Sequence, residues 1–158
     1  MNVIRTLTGA TAVASVVTAG AMFAFSSFVM PALGRLSGSD AIRAMQAMND
    51  KAPNSLLMLP LAGGALGSVV VGIDALVRGD GPGRGWIIAG AVLGTGALLI
   101  TAVYHQPHNL ALGRVDPAAS DAAARWQAYS NGWTAWNALR VLTGLASGVA
   151  LGVGLAQR

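Results

Sequence analysis

The chain has 158 residues, 54% of them hydrophobic and 10% charged, with a net charge of +4 and no cysteine. Against about 25% charged residues in an average soluble domain, that leaves too few charges to clothe a soluble globule. The missing cysteine excludes disulfides, thiolate catalysis, iron–sulfur clusters and cysteine-ligated zinc. The ten Lys and Arg are scattered, without the basic run or aromatic–basic stripe of a nucleic-acid surface, so no nucleic-acid partner is expected.

Four stretches contain no Asp, Glu, Lys or Arg: Thr6 to Gly34, Ala52 to Ile73, Gly85 to Gly113 and Val141 to Gln157. A helix needs ~20 mainly apolar residues to cross a hydrocarbon layer ~30 Å thick. The first three meet that length, and the fourth extends a helical pattern that starts before Trp126. The expected fold is therefore all-α, a four-helix transmembrane bundle forming one membrane domain over 1–158. Its partner is the lipid bilayer and its expected location the plasma membrane, as a multi-pass protein.

The first span is expected at about 6–33, ended by Pro31, Gly34, Ser37 and Gly38. At 29 residues its uncharged run far exceeds the 7–15 of a signal-peptide core, so cleavage is not expected. A short amphipathic helix follows at about 40–50, with Ser39 as N-cap and Asp40 in the first turn. Its Ile42, Met45 and Met48 recur every three residues, which fits a helix lying at the membrane interface or one capping the bundle mouth. The second span is expected at about 55–76, with Pro60 as a candidate kink. At its end Asp74 and Arg78, four apart, are placed to pair. The stretch from Arg78 to Gly85 reads as a turn.

The third span is expected at about 86–104, followed by a loop from His105 to Asp121 in which Pro107 breaks the helix. The fourth runs over about 121–156. Short connections make the bundle up-down, with the first and third loops on one face. Glycines four apart (Gly63 and Gly67, Gly90 and Gly94, Gly144, Gly148 and Gly152) predict close helix packing and leave homo-oligomerisation open. Four basic residues on one side against five on the other give no orientation.

Polar residues gather at the first- and third-loop face. Ser26, Ser27 and Arg35 come from the first span; Tyr104, His105, Gln106, His108 and Asn109 from the end of the third. Trp126, Trp133, Asn137 and Arg140, spaced 7, 4 and 3, share one face of the fourth. Arg140 is the strongest clue. An ionisable group inside a span costs at least ~2.5 kcal/mol and faces a partner or a wet cavity. It reads either as a snorkelling interfacial arginine or as a buried cation for a phenolate, enolate, carboxylate or phosphate. Apart from Asp121, no carboxylate lies in the first, third or fourth span to neutralise it.

His105 and His108 fit three roles: metal or haem ligands, a general base or hydrogen-bond donor working near neutrality, or plain interfacial polarity. No third His, Cys or nearby Glu completes a usual metal set, so no metal and no cofactor is expected. Trp86, Trp126, Trp133 and Trp136 fit an aromatic belt at the membrane boundaries, or a slot for a hydrophobic aromatic small molecule beside Arg140.

The same residues carry a family resemblance. The stretch Ala24-Phe25-Ser26-Ser27-Phe28-Val29-Met30-Pro31-Ala32-Leu33, continuing to Ala44-Met45-Gln46-Ala47-Met48-Asn49, resembles the opening of the anthrone-oxygenase-like family of small four-helix membrane proteins. Pro107, Asn109, Leu110 and Ala111 fit that family's Asn-Val-Pro-x-Asn motif and the residues after it, and Trp133, Trp136, Asn137 and Arg140 match its Trp-x-x-Trp-Asn-x-x-Arg. His105 stands where the family has the first Asn, and His108 adds a second imidazole.

The resemblance implies oxidation of a hydrophobic aromatic or quinone-like compound by O₂, without metal or flavin. On that reading His105, Arg140 and Asn137 are the catalytic candidates. His105 takes a proton and Arg140 stabilises the oxyanion. Trp133, Trp136, Trp126, Asn109, His108 and Ser27 are the substrate-binding candidates, the tryptophans also excluding water. The rival readings are a non-catalytic lipid- or quinone-binding membrane protein and a haem- or metal-binding membrane subunit.

Overall fold

The computed structural model describes residues 3–78 and 80–158. The described residues form five helices: α1 (Val3–Leu33), α2 (Gly38–Lys51), α3 (Met58–Val77), α4 (Arg84–Leu112) and α5 (Ala122–Ala156). All but α2 are long and apolar enough to cross a membrane. These four pack in a closed ring, α1 against α3 and α5, and α4 against α3 and α5. This is the up-down four-helix bundle expected of short connections. Gly79, inside the turn expected at 78–85, lies outside the described residues, as do Met1 and Asn2.

Two apolar clusters hold the ends. Val71 and Ala75 meet Ile87, Ala91 and Leu151 at one end, joined by Ile4 and Leu7. At the other, Met30 and Leu33 pack with Ile42, Met45, Leu112, Trp126 and Trp133. Between them the helices approach closely. A Cβ on Gly90 would lie 2.7 Å from Leu151 Cγ and 2.9 Å from its backbone nitrogen, so only glycine fits there. Ser147 Oγ donates to Gly90 O across the same contact at 2.7 Å. By contrast, Gly63 and Gly152 of the expected glycine patterns meet nothing within 4 Å.

Two of the four spans are not regular α-helices. Phe25–Val29 in α1 and Thr101–His105 in α4 are π turns, in which Met30 N–H bonds Phe25 O and Gln106 N–H bonds Thr101 O. Each precedes a proline, Pro31 and Pro107. A proline cannot donate to the carbonyl four residues back, and its ring presses on that carbonyl. Here those carbonyls belong to Ser27 and Val103, and the wider turn accommodates the misfit. Pro107 therefore does not end the helix, which runs on to Leu112 and shortens the expected loop. Nor does Pro60 kink α3. It lies in the first turn, where a missing N–H costs nothing.

The N-cap of α2 is Ser37 rather than Ser39. Its Oγ accepts from Asp40 N at 3.1 Å and donates to Asp40 Oδ2 at 2.7 Å. With Ala41, Ile42 and Met45 buried in the upper cluster, α2 caps the bundle mouth. Gln46 Nε2 latches it there, donating to Leu112 O and Val115 O, both at 2.9 Å. Among the described residues the single salt bridge is Arg125–Asp121 at 2.8 Å. Asp74 and Arg78 form none, and Arg84 instead donates to the last carbonyls of α3, Ala75 O and Leu76 O.

Helix length shapes the mouth. At 1.5 Å per residue, 20-residue α3 is about 30 Å long and 35-residue α5 about 52 Å. The helices meet near one level at the lower cluster, so α1, α4 and α5 rise past the start of α3 at the upper end. The chamber there has three tall walls and one low one, and α2 closes its top.

Candidate functional site

That chamber is a cavity of about 810 Å³. Met22 and Phe25 of α1, Met45 and Met48 of α2, and Met58 and Leu61 of α3 supply its apolar walls. Its polar side comes from Thr101, His105 and Asn109 of α4 with Trp133 and Arg140 of α5. Asp50 and Arg114 stand exposed at the rim.

Arg140 is 7% exposed, and no carboxylate lies within ion-pair distance. Its guanidinium is held by neutral groups instead. Nε and an Nη donate to Asn137 Oδ1 at 3.1 and 2.6 Å, the same Nη reaches Met22 Sδ at 2.8 Å, and the other donates to Thr101 Oγ1 at 3.3 Å. Trp133 lies under it, 5.8 Å from guanidinium carbon to ring centroid, a cation–π contact. Those four hydrogen bonds leave one of the five guanidinium N–H groups free. The result is an uncompensated cation, fixed in orientation, in the wall of a largely apolar cavity. Such a group attracts an anion or a developing negative charge.

Asn137 is fully buried and does not line the cavity. Besides accepting from Arg140, its Nδ2 donates to Met22 O at 2.8 Å and Ser26 Oγ at 2.6 Å. It ties the arginine to α1 at the edge of the π turn, which makes it a positioning residue. Thr101, the first residue of the other π turn, holds Arg140 from the α4 side. The two proline-linked turns thus sit where the cation is anchored, and π turns of this kind recur at functional sites.

His105 is 2% exposed and lines the cavity. Neither of its ring nitrogens makes a well-formed hydrogen bond, although the Trp136 backbone lies close enough to interact with the ring. Trp133 Nε1 is likewise buried and unpartnered. The two rings meet edge to face at 5.2 Å between centroids. Buried polar atoms are almost always paired, so three orphaned nitrogens at one cavity wall mark a place for a ligand.

The remaining sequence candidates fall into two groups. Asn109 lines the cavity and accepts from Tyr129 Oη at 2.8 Å. Trp126, Trp136, His108 and Ser27 do not line it. Trp126 is packed in the upper cluster, and exposed Ser27 bonds Ala24 O of its own helix at 3.3 Å. Trp136 and His108 stack on Tyr104, at 4.9 and 3.9 Å between centroids, on the outer surface. His108 Nδ1 is engaged with Tyr104 O at 2.7 Å, so the two imidazoles lie inside and outside the bundle rather than side by side. Among the described residues no group of three or more His, Cys, Asp or Glu is arranged to hold a metal ion.

Sequence reasoning passed over Met22, Phe25, Met58 and Thr101. Apolar or singly hydroxylated, they carry no chemical signal. The spacing of Met45 and Met48 marked one face of a helix at the interface or over the bundle mouth, and that face turns out to line the cavity.

Fold and site together define a multi-pass membrane protein with a ligand-sized chamber between its helices and a fixed, unpaired cation in the chamber wall. The family described as anthrone oxygenase matches residues 45–150, well over half of the chain, and the protein belongs to that family. No curated protein and no solved structure matches the chain.

Proposed function

We propose that the protein oxidises a hydroxylated, flat aromatic compound with O₂ inside this chamber, converting a ring CH₂ activated by the carbonyl conjugated with it across the ring into a second carbonyl. The observation that carries the proposal is Arg140, an oriented cation without a counter-charge, facing the same chamber as the unpartnered imidazole of His105. Membership of the anthrone oxygenase family supports the same chemistry.

The reaction balances without an added reductant. His105 accepts a proton from the CH₂, and Arg140 holds the resulting enolate oxygen. The carbanion form adds to O₂ and, after protonation, gives a carbon hydroperoxide. Loss of the remaining C–H proton with O–O cleavage yields the carbonyl and one water. Carbon gives up four electrons and dioxygen takes four. The methionine walls suit a flat, variable ring system, because unbranched thioether side chains adapt their shape and make favourable contacts with aromatic edges.

The test is O₂ uptake and quinone formation by the protein in lipid nanodiscs supplied with a hydroxyanthrone. Expected is one quinone per O₂ consumed, lost in Arg140→Gln and reduced in His105→Ala. Tight ligand binding with no O₂ uptake above the spontaneous rate overturns the reading in favour of a non-catalytic aromatic- or quinone-binding protein.

A further inference from the structure

A second, much smaller chamber lies directly behind Arg140, on the side away from the large cavity. Its volume is about 40 Å³. Met22, Leu61, Thr101 and Arg140 line both spaces, so these side chains form the partition between them. One water needs roughly 10–15 Å³ by the same measure. The chamber, open on its outer side, therefore has room for a diatomic molecule or about three to four waters.

We infer that this chamber is the dioxygen site of the reaction proposed above, fed from the hydrocarbon of the bilayer. The inference rests on that proposed reading for its function, though not for its occupancy. The first argument is access. Pro60 and Leu61 of α3 and Ala97 and Leu98 of α4 are half-buried, so the chamber reaches the lipid-facing groove between those two helices. Its floor is Ala19, Met22 and Arg140, all buried. Dioxygen dissolves better in hydrocarbon than in water, and this groove gives it a path that avoids the substrate's own chamber.

The second argument is the lining. Alanine, leucine, proline and methionine carbons with glycine backbone make up most of it, and such a surface gives a small apolar guest dispersion contacts. Of its hydroxyls, Thr101 Oγ1 already donates to Ala97 O at 3.0 Å and accepts from Arg140. Thr18 Oγ1 is buried without a partner. Ser15, also buried, adds a third hydroxyl to the lining. Together with Thr18 and the guanidinium it can meet a guest that is apolar on arrival and becomes an acceptor once reduced.

The third argument is placement. A single cation in the partition faces the enolate on one side and the gas on the other. Charge moving from carbon to dioxygen then stays beside the same guanidinium throughout, and no reorganisation of the site is needed.

The test uses the full-length protein in nanodiscs with labelled alanine and methionine methyls, first without any substrate. Under xenon pressure, and separately under O₂ as a paramagnetic probe, the Ala19, Met22, Ala65 and Ala97 methyls should show saturable shifts or relaxation. The lipid-facing Ala102 methyl should respond only in proportion to dissolved gas. Uniform responses that follow lipid exposure alone overturn the inference, as do magnetisation transfers from water to the chamber methyls.

Ala97→Leu, which fills the mouth, supplies the functional arm. It should raise the KM for O₂ severalfold while leaving the affinity for the aromatic ligand unchanged. Folding of the variant is checked by its retained ligand affinity. An unchanged KM for O₂ in a filled chamber overturns the inference while the oxidation itself stands. Saturable gas binding without any turnover instead leaves the site in place and removes the oxidation.

Discussion

Asn137 offers a way to separate the position of Arg140 from its charge. It makes four hydrogen bonds, two accepted from the guanidinium and two donated to Met22 O and Ser26 Oγ. Side-chain hydrogen bonds in membrane bundles average ~0.6 kcal/mol and reach ~1.7. Asn137→Ala should therefore cost roughly 2–7 kcal/mol of stability and release the arginine. Asn137→Asp changes almost no volume and keeps an oxygen facing Arg140, at the expense of the donor to Met22 O. Its carboxylate supplies the counter-charge that the site lacks. A unit charge pair at ~4 Å and an effective dielectric of ~20 is worth about 4 kcal/mol. If half to three-quarters of that is no longer available to a ligand anion, affinity falls by roughly 30- to 150-fold. The assay is binding of an acidic phenol and of its methyl ether to both variants in nanodiscs, beside unfolding by a denaturing detergent. The phenolate should weaken in Asn137→Asp and the ether should not. Equal phenolate affinity in a folded Asn137→Asp would refute the assignment of Arg140 as the anion site.

Arg140→Lys should fail to restore phenolate binding, because one ammonium cannot span Asn137, Thr101 and Met22 as the planar fork does; isothermal titration checks it. Gly90→Ala should destabilise the bundle by about 1–3 kcal/mol through the clash with Leu151, whereas Gly152→Ala should be near neutral, read from the same denaturation curves. Gln46→Ala removes both latching bonds and should raise hydrogen exchange in α2 selectively, with α3 and the lower cluster unchanged. The exposed Asp121 carboxyl, just outside α5, is held below the usual carboxylate range by the hydrogen bond and charge of Arg125. Its contribution to stability is present above the ordinary carboxylate pKa and is lost as pH falls through the depressed one. Protection of the amides in the first turn of α5, taken relative to the intrinsic exchange rate at each pH, should fall in that acid window and stay constant in Asp121→Asn.

The bundle was legible because long uncharged runs have few alternatives in a membrane. Arg140 stood out for the same reason, as a lone charge on an apolar helix face. The behaviour of Pro31 and Pro107 was not legible. Whether a proline ends a helix or is absorbed by a π turn depends on tertiary contacts to α5, here through Asn137 and Arg140. Trp133 and Trp136 share a motif and are three residues apart, yet one lines the chamber and the other faces outward. The helical offset between them separates inside from outside, and only the packed bundle says which is which. For His105 and His108 the spacing was equally silent, since the π turn changes the facing of the first relative to the second.

The low wall above α3 bears on how affinity should be expressed. A ligand that reaches the chamber over the start of the shortest span loads from the layer where headgroups meet hydrocarbon. Its effective concentration is then its mole fraction in the lipid rather than its amount per volume of buffer. Adding empty vesicles or excess detergent at fixed total ligand would drain the site without touching a single protein contact, and dissociation constants from preparations with different lipid-to-protein ratios would agree only after correction for partitioning. For such a ligand, the short third helix makes the host membrane a reservoir that sets occupancy.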